Sequence, residues 1–351
     1  MITEAVIYSK KGQKLKLEKI EIPKPKNDEV IIKIVSSGIC HSQLINLSRD
    51  PRQPELLGHE ATGIVQEKGR MVKHVNTGDR VLISWMPHFE NKNLNKDYFK
   101  PVNIFYKKKP LQAFIFTWAK KTLINSQFVT KLPKDLDMYD TSIIGCAGIA
   151  GYGTVLNTVN IQKKQSVVVY GAGGLGLLAI NAAKNLGAKP IIAIDINKKK
   201  LTFSKKFGAD YAILSNKNLK KTIMKITKNK GIDYIFDMVG SNETLENSID
   251  ILKTCIPGNS RGGSIVLVGF PNQKFELNTR NILMAEQKII GSRGGSCVPK
   301  RDFKKFYKDY RSGKMMLKKI VTKKYSLHQI NKAVNDLSKG KILGRAIIKI
   351  S

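Results

Sequence analysis

The chain has 351 residues, more than one hydrophobic core comfortably serves, so two domains are expected. Hydrophobic residues make up 42% and charged residues 25%, the balance of a soluble globular enzyme, and no apolar run approaches the ~20 residues of a membrane span. Lys and Arg number 61 against 27 acidic residues, a formal net charge of +34 that would attract polyanions. Only ten of the 61 are Arg, and aromatic residues are 7%. Specific nucleic-acid modules use Arg forks and aromatic platforms, so the charge reads as a lysine-rich solvated surface, with neither a specific nucleic acid nor a membrane as partner. The start, Met1 to Val6, lacks the basic and apolar blocks of a signal peptide. Four cysteines do not form a disulfide framework, which places the chain in a reducing cytoplasm.

In chain order, residues 1–85 read as β-rich. Val30 to Val35 and Gly63 to Glu67 are strands, and Gly78-Asp79-Arg80 turns into a third at 81–83. Residues 86–112, with Pro87, Asn91, Asn93, Asn95, Pro101 and Lys107-Lys108-Lys109-Pro110, read as an irregular surface loop. Strand-like text returns at 113–133, and a helical pattern follows near 136–160. From 165 the pattern alternates. Strands are expected at 166–170, 190–195, 211–215, 232–237, 264–269 and 288–292, with amphipathic helices between them at 197–207 and 218–229. Repeated βα units imply a doubly wound parallel sheet, an α/β fold. The last 60 residues break that rhythm, with a helix at 304–310 and a closing strand at 345–350; this tail is expected to return to the N-terminal domain.

Two motifs carry chemistry. Gly171-Ala172-Gly173-Gly174-Leu175-Gly176 follows a β-like run and opens a helix, and Asp195 lies at the end of the next strand. In that context the glycines allow a tight turn, close approach of a pyrophosphate and close packing of helix on sheet. The helix N-terminus offers unsatisfied N–H groups to the phosphates. An acid at 195 suits ribose hydroxyls and repels a 2′-phosphate, so NAD is preferred over NADP. Upstream, Cys40, His59, Glu60 and Cys146 supply the thiolates, imidazole and carboxylate that Zn²⁺ favours. A metal site and a dinucleotide loop together point to metal-assisted hydride transfer.

Gly58-His59-Glu60-Ala61-Thr62-Gly63, followed by Gly69 and Val72, resembles the signature of zinc-containing alcohol dehydrogenases in the medium-chain dehydrogenase/reductase superfamily. Gly38-Ile39-Cys40-His41-Ser42 and Gly145-Cys146-Ala147-Gly148 are similar to that family's two cysteine segments, and the likeness runs on to Gly291-Ser292 and Gly344-Arg345. The resemblance implies a β-rich, GroES-like catalytic domain of residues 1–150 completed by 293–351, and a Rossmann NAD-binding domain of 151–292. It implies that Cys40, His59 and Cys146 hold a catalytic zinc acting as a Lewis acid. Glu60 is then either a fourth, exchangeable ligand or a group paired to Arg345. It further implies that Ser42 touches the alcohol and starts a proton relay and that Trp85 walls the substrate pocket. His41, Lys200 and Arg345 would contact the cofactor.

Three departures from that pattern stand out. Residues 86–130 hold no Cys, where many relatives carry a four-cysteine structural zinc lobe, so one zinc per subunit is expected. Gln43 stands where many relatives have an Asp that orients the ligand His, and Ile45 where some end the relay at a His. His88 is a candidate relay base by sequence proximity alone. Cys255 and Cys297 read as free buried thiols. The expected activity is hydride transfer between a primary or secondary alcohol and NAD, in a homodimer. The alternatives are a zinc polyol or biosynthetic sugar dehydrogenase acting on an anionic substrate and, more distantly, a non-enzymatic basic binding protein on this fold.

Overall fold

The computed structural model describes residues 1–88, 100–270 and 274–351; Asn91, Asn93 and Asn95 of the expected surface loop lie outside them. The chain forms two compact units. The first comprises Met1–Cys146, Val298–Arg311 and Leu317–Ser351, the second Ala147–Cys297 and Ser312–Met316.

The first unit is built around the strand Glu29–Ile39. Nearly all of its residues are buried, Lys33 being the exposed one, because both of its faces are covered. Val30, Ile32 and Ile34 enter one cluster with Ala61, Val65, Val81 and Ile124, while Ile31 enters another with Ala5, Ile7, Ile20 and Ile104. Each such isoleucine, fully buried, contributes about 1.5–3 kcal/mol. The strand pairs antiparallel with Ala61–Lys68 along its length, with Lys121–Asn125 near its start, and with Arg345–Lys349 near its end. Register shifts at Ile31/Ile32 and Ile34/Ser36 bend it between these partners. Its C-terminal end therefore lies between the start of Ala61–Lys68 and the start of Arg345–Lys349, where residues distant in sequence meet.

A second sheet in this unit runs in the order Glu55–Leu56, Ile2–Tyr8, Lys16–Glu21, Val102–Tyr106, Lys109–Ala113. The last two strands correct the expectation of an irregular segment at 86–112. Residues 102–113 form a tight hairpin with Tyr106 opposite Lys109. Its two turn residues, Lys107 and Lys108, both have positive φ (51° and 63°). That turn normally announces itself as Asn-Gly or Asp-Gly, and Lys-Lys gives no such signal.

The second unit carries the expected doubly wound sheet. Six parallel strands lie in the order Tyr211–Leu214, Ile191–Asp195, Val167–Tyr170, Tyr234–Asp237, Ser264–Leu267, Lys288–Gly291. Strand order reverses beside Val167–Tyr170, the place where open α/β sheets bind ligands. The helices at Lys198–Ser204 and Leu219–Ile226 are shorter than their sequence patterns. The expected helix near 136–160 is a composite of a 3₁₀ turn at Asp140–Ile143, π-helical turns at Ile144–Gly153 and an α turn at Thr154–Asn157. Four glycines between 145 and 153 leave that backbone free to widen, and π turns recur at functional sites. No helix among the described residues is long and apolar enough to cross a membrane.

Candidate metal centre and dinucleotide loop

Three side chains of the first unit converge. Cys40 follows the end of the strand Glu29–Ile39, His59 lies just before Ala61–Lys68, and Cys146 sits in the π-helical turns. Their Sγ, ring nitrogen and Sγ atoms all lie within 4.8 Å of one another, and this is the one such cluster among the described residues. Both sulfurs are buried and the histidine is half-buried. Cys146 Sγ is 3.8 Å from Cys40 Sγ and 3.2 Å from His59 Nε2. A tetrahedral zinc with sulfurs at ~2.3 Å would place two of them ~3.8 Å apart, so the sulfur spacing fits zinc.

The thiols are coupled. The Cys146 S–H donates to Cys40 Sγ, which, with a bond from His59 and the charge of Arg345, outweighs burial and holds the Cys40 thiol well below its ordinary value. Cys146, the donor and itself buried, is pushed well above its own. A bound cation deprotonates a coordinating thiol outright, so a zinc held here would displace the Cys146 thiol proton.

Glu60 is fully buried and outside the cluster of three. Its carboxylate pairs with Arg345, which is 5% exposed. Backbone pairing places them: Gly38 N–H donates to Glu60 O at 3.1 Å, and Gly38 pairs on its other side with Ile347 in the strand that Arg345 begins. Residue 38 has to be glycine, since a Cβ there would occupy the space of the Glu60 carboxylate. Gly38→Ala is expected to displace Glu60 and lower unfolding free energy by about 1–3 kcal/mol, read by thermal denaturation. Gly58 has φ +93° and packs against Thr117 and Trp118, which aims His59. Neither role of glycine is visible in the signature itself: that of Gly38 comes from strand pairing, and that of Gly58 from its positive φ beside Thr117 and Trp118.

The remaining expected residues fall in separate places. Ser42 opens the short helix Ser42–Leu47, and its hydroxyl is buried with no hydrogen-bond partner among the described residues. Gln43 is 2% exposed and touches both Cys40 N–H and His59 Nδ1. His41 is exposed and Ile45 is 43% exposed. Trp85 is half-buried and follows Ser84, whose hydroxyl donates to Gly145 O at 2.7 Å, tying the segment to the Cys146 turn. His88 stacks on His74 with ring centroids 5.3 Å apart; burial, then His74 and Lys300, lower its pKa to about 4. Such a ring is a poor proton acceptor at neutral pH. Cys297 is buried, whereas Cys255 is half-buried, with its Sγ 3.4 Å from Met284 O.

In the second unit, Gly171 has φ +85° and Gly176 lies so close that a Cβ there would meet Gly171 O. Beside Gly173 there is open space, and Gly173 caps the helix Gly174–Asn185, in whose first turn Leu175 is half-buried. Asp195 braces this loop: its carboxylate accepts from Ala172 N–H and Asn197 N–H, each at 2.8 Å. Asn197 in turn caps Lys198–Ser204, accepting from Lys199 and Lys200 N–H. Asp237, at the end of the neighbouring strand, is buried and accepts from Val239 and Gly240 N–H and Thr244 Oγ1. It is the counterpart of Asp195 that no motif in the sequence announces.

Residues 26–134 match the model of the alcohol dehydrogenase GroES-like domain, and residues 174–310 that of the zinc-binding dehydrogenase domain. The chain is 30% identical to alcohol dehydrogenase 6 of Peromyscus maniculatus over 97% of its length and 96% of that protein. It belongs to the zinc-containing alcohol dehydrogenases of the medium-chain dehydrogenase/reductase superfamily. A putative alcohol dehydrogenase D of Mycobacterium tuberculosis is 28% identical over 99% of this chain and all of that one. Among solved structures, benzyl alcohol dehydrogenase from Acinetobacter calcoaceticus superposes with a TM-score of 0.89 at 28% identity, covering 100% of both chains. This dehydrogenase is accordingly a zinc-dependent oxidoreductase acting on CH–OH donors, with a β-rich GroES-like domain and a Rossmann-like domain.

Proposed function

We propose that this dehydrogenase interconverts a primary or secondary alcohol with its carbonyl product, using one zinc held by Cys40, His59 and Cys146 and NAD held by the second unit. The observation that carries this is the convergence of two buried thiols and an imidazole within 4.8 Å. Zinc, when bound, supplies Lewis acidity, and NAD supplies the hydride acceptor. The chain's own residues do the rest. Cys40 and Cys146 give the charge and softness that select zinc. Arg345 holds Glu60 beside the site, from which the carboxylate can exchange. The Ser42 hydroxyl, without a hydrogen-bond partner among the described residues, takes the alcohol proton, and Trp85 walls the pocket. Ile45 cannot carry a proton, so the relay that Ser42 starts would have to continue through ribose hydroxyls, when a cofactor is bound, to water or another base.

In the second unit, the N–H groups at Gly173, Gly174 and Leu175 receive the pyrophosphate, with Gly171 and Gly176 shaping the turn. Asp195 sets NAD over NADP by charge repulsion, while Lys200 packs near the ribose. Residues 1–150 with 293–351 form the catalytic domain and 151–292 the cofactor domain. A cytoplasmic homodimer is the expected state, pairing through the outer strand Lys288–Gly291, next to exposed Leu283 and Met284.

The test is metal analysis of purified protein together with NADH formation across a panel of alcohols. One equivalent of zinc and chelator-sensitive, NAD-preferring turnover are expected. Two equivalents of zinc would overturn the single-site reading, and chelator-insensitive turnover would overturn the zinc reading altogether.

A further inference from the structure

The helix that opens at Ser42 does not end sharply at Leu47. Ser48 N–H donates to Ile45 O at 3.2 Å and Arg49 N–H to Asn46 O at 3.5 Å, so the winding continues to Arg49. Residues at i, i+3 and i+7 share one face of such a winding. Here they are Ser42, Ile45 and Arg49: a hydroxyl, an apolar side chain 43% exposed and an exposed guanidinium. Ile45 is the one apolar side chain among the exposed residues of 41–50. At 1.5 Å of rise per residue, Arg49 stands ~10 Å along this face from Ser42.

At that end lies a cavity of about 600 Å³ lined by Arg49, Asp50, Arg52, Gln53 and Glu55. Its wall is held in place. The Tyr8 hydroxyl lies 3.1 Å from Leu47 O and 2.6 Å from Arg49 O, and Gln53 Nε2 donates to Gln112 O at 3.3 Å. The formal charges of the lining cancel, but their engagements differ. Asp50 accepts from Lys11 N–H at 2.9 Å, and Glu55 takes a single nitrogen of Arg49, Nη2, at 2.9 Å. Arg49 Nε and Nη1 are left uncommitted, and Arg52 has no ion pair or hydrogen bond among the described residues. A guanidinium carries five N–H donors in a planar fork that matches a carboxylate. Both acids are engaged and the spare groups are cationic donors, so the cavity suits an anion.

We infer that this dehydrogenase prefers alcohols that carry a carboxylate at the far end of an apolar chain, that is, ω-hydroxy acids of medium length. The hydroxyl end meets Ser42, the chain lies along Ile45, and the carboxylate bonds Arg52 and the free edge of Arg49. The inference rests on the reading that Ser42 meets the alcohol beside Cys40, His59 and Cys146.

Steady-state turnover with probes of one length tests it: octanol, ω-hydroxyoctanoate and ω-aminooctanol. In wild type, kcat/KM for ω-hydroxyoctanoate is expected to exceed that for octanol about tenfold, the size of one hydrogen bond to a charged group. The amine is expected to be the poorest of the three. The preference shrinks as salt is raised, because the guanidinium groups are exposed. Arg52→Glu is expected to abolish the preference for the acid over octanol. A merely structural role would lower both substrates alike and leave their ratio in place. By calorimetry, octanoate is expected to bind Arg52→Glu about tenfold more weakly than wild type, a readout that needs no turnover. The inference is overturned if octanol or the amine matches the hydroxy acid in wild type, or if Arg52→Glu leaves both the ratio and octanoate binding unchanged. Failure of the underlying zinc reading is distinguishable: none of the three would be turned over, or a chelator would not stop turnover, and the inference would fall with it.

Discussion

Cys146→Ser is expected to remove zinc and to lower kcat/KM by on the order of 10³-fold, with the fold intact. The magnitude follows from Lewis-acid stabilisation of several kcal/mol, each 1.36 kcal/mol being tenfold in rate. A hydroxyl in place of the thiol keeps nearly the same volume, so packing in the turns Ile144–Gly153 survives. It forms no comparably stable anion near neutral pH, and the cluster falls from two sulfurs and a nitrogen to one of each. Cys40 would also lose its thiol hydrogen-bond partner, the largest single influence lowering its pKa. Metal content, circular dichroism and turnover on the same preparation check this. A variant that retains a full equivalent of zinc and wild-type turnover would sink the assignment of Cys146.

Glu60→Ala produces the second large effect, this time on stability. The Glu60–Arg345 pair is buried, and Arg345 Nε already has no partner among the described residues. Removing one member of such a pair leaves an uncompensated charge and costs about 3–5 kcal/mol. For a folding unit of this size that corresponds to a fall in Tm on the order of 10 °C. Replacing both members with apolar residues, Glu60→Leu with Arg345→Met, is expected to recover much of the loss, because no charge is then stranded. The comparison separates a cost of stranding from a cost of lost packing. If single and double variants melt alike, the ion pair is not what stabilises the end of the strand Glu29–Ile39.

The parallel sheet was legible because each strand of the second unit is a short apolar run followed by a helical pattern. Its glycine loop could be read from spacing in the same way. The hairpin at 102–113 was not, since its turn is Lys107-Lys108. The π-helical turns around Cys146 leave only a helical pattern in the sequence, because periodicity does not report how widely a helix is wound. For the site, the ligand types at 40, 59 and 146 stood out in the chain. The seat of Glu60 against Gly38 and Arg345 did not follow from local patterns, nor did the double contact of Gln43.

By itself the sequence determined the chemistry on offer: two thiols, an imidazole, a carboxylate and a phosphate-binding turn in a strand–helix context. These are local properties, carried by residue type and short spacing. Tertiary structure alone decided which of them meet. Strand Glu29–Ile39 pairs with Ala61–Lys68 on one side and Arg345–Lys349 on the other. That pairing brings residues 285 positions apart into one ion pair. It leaves Glu60 held by Arg345 beside a cluster of three. Register between distant strands is set by burial of whole faces, and no motif of a few residues contains that information.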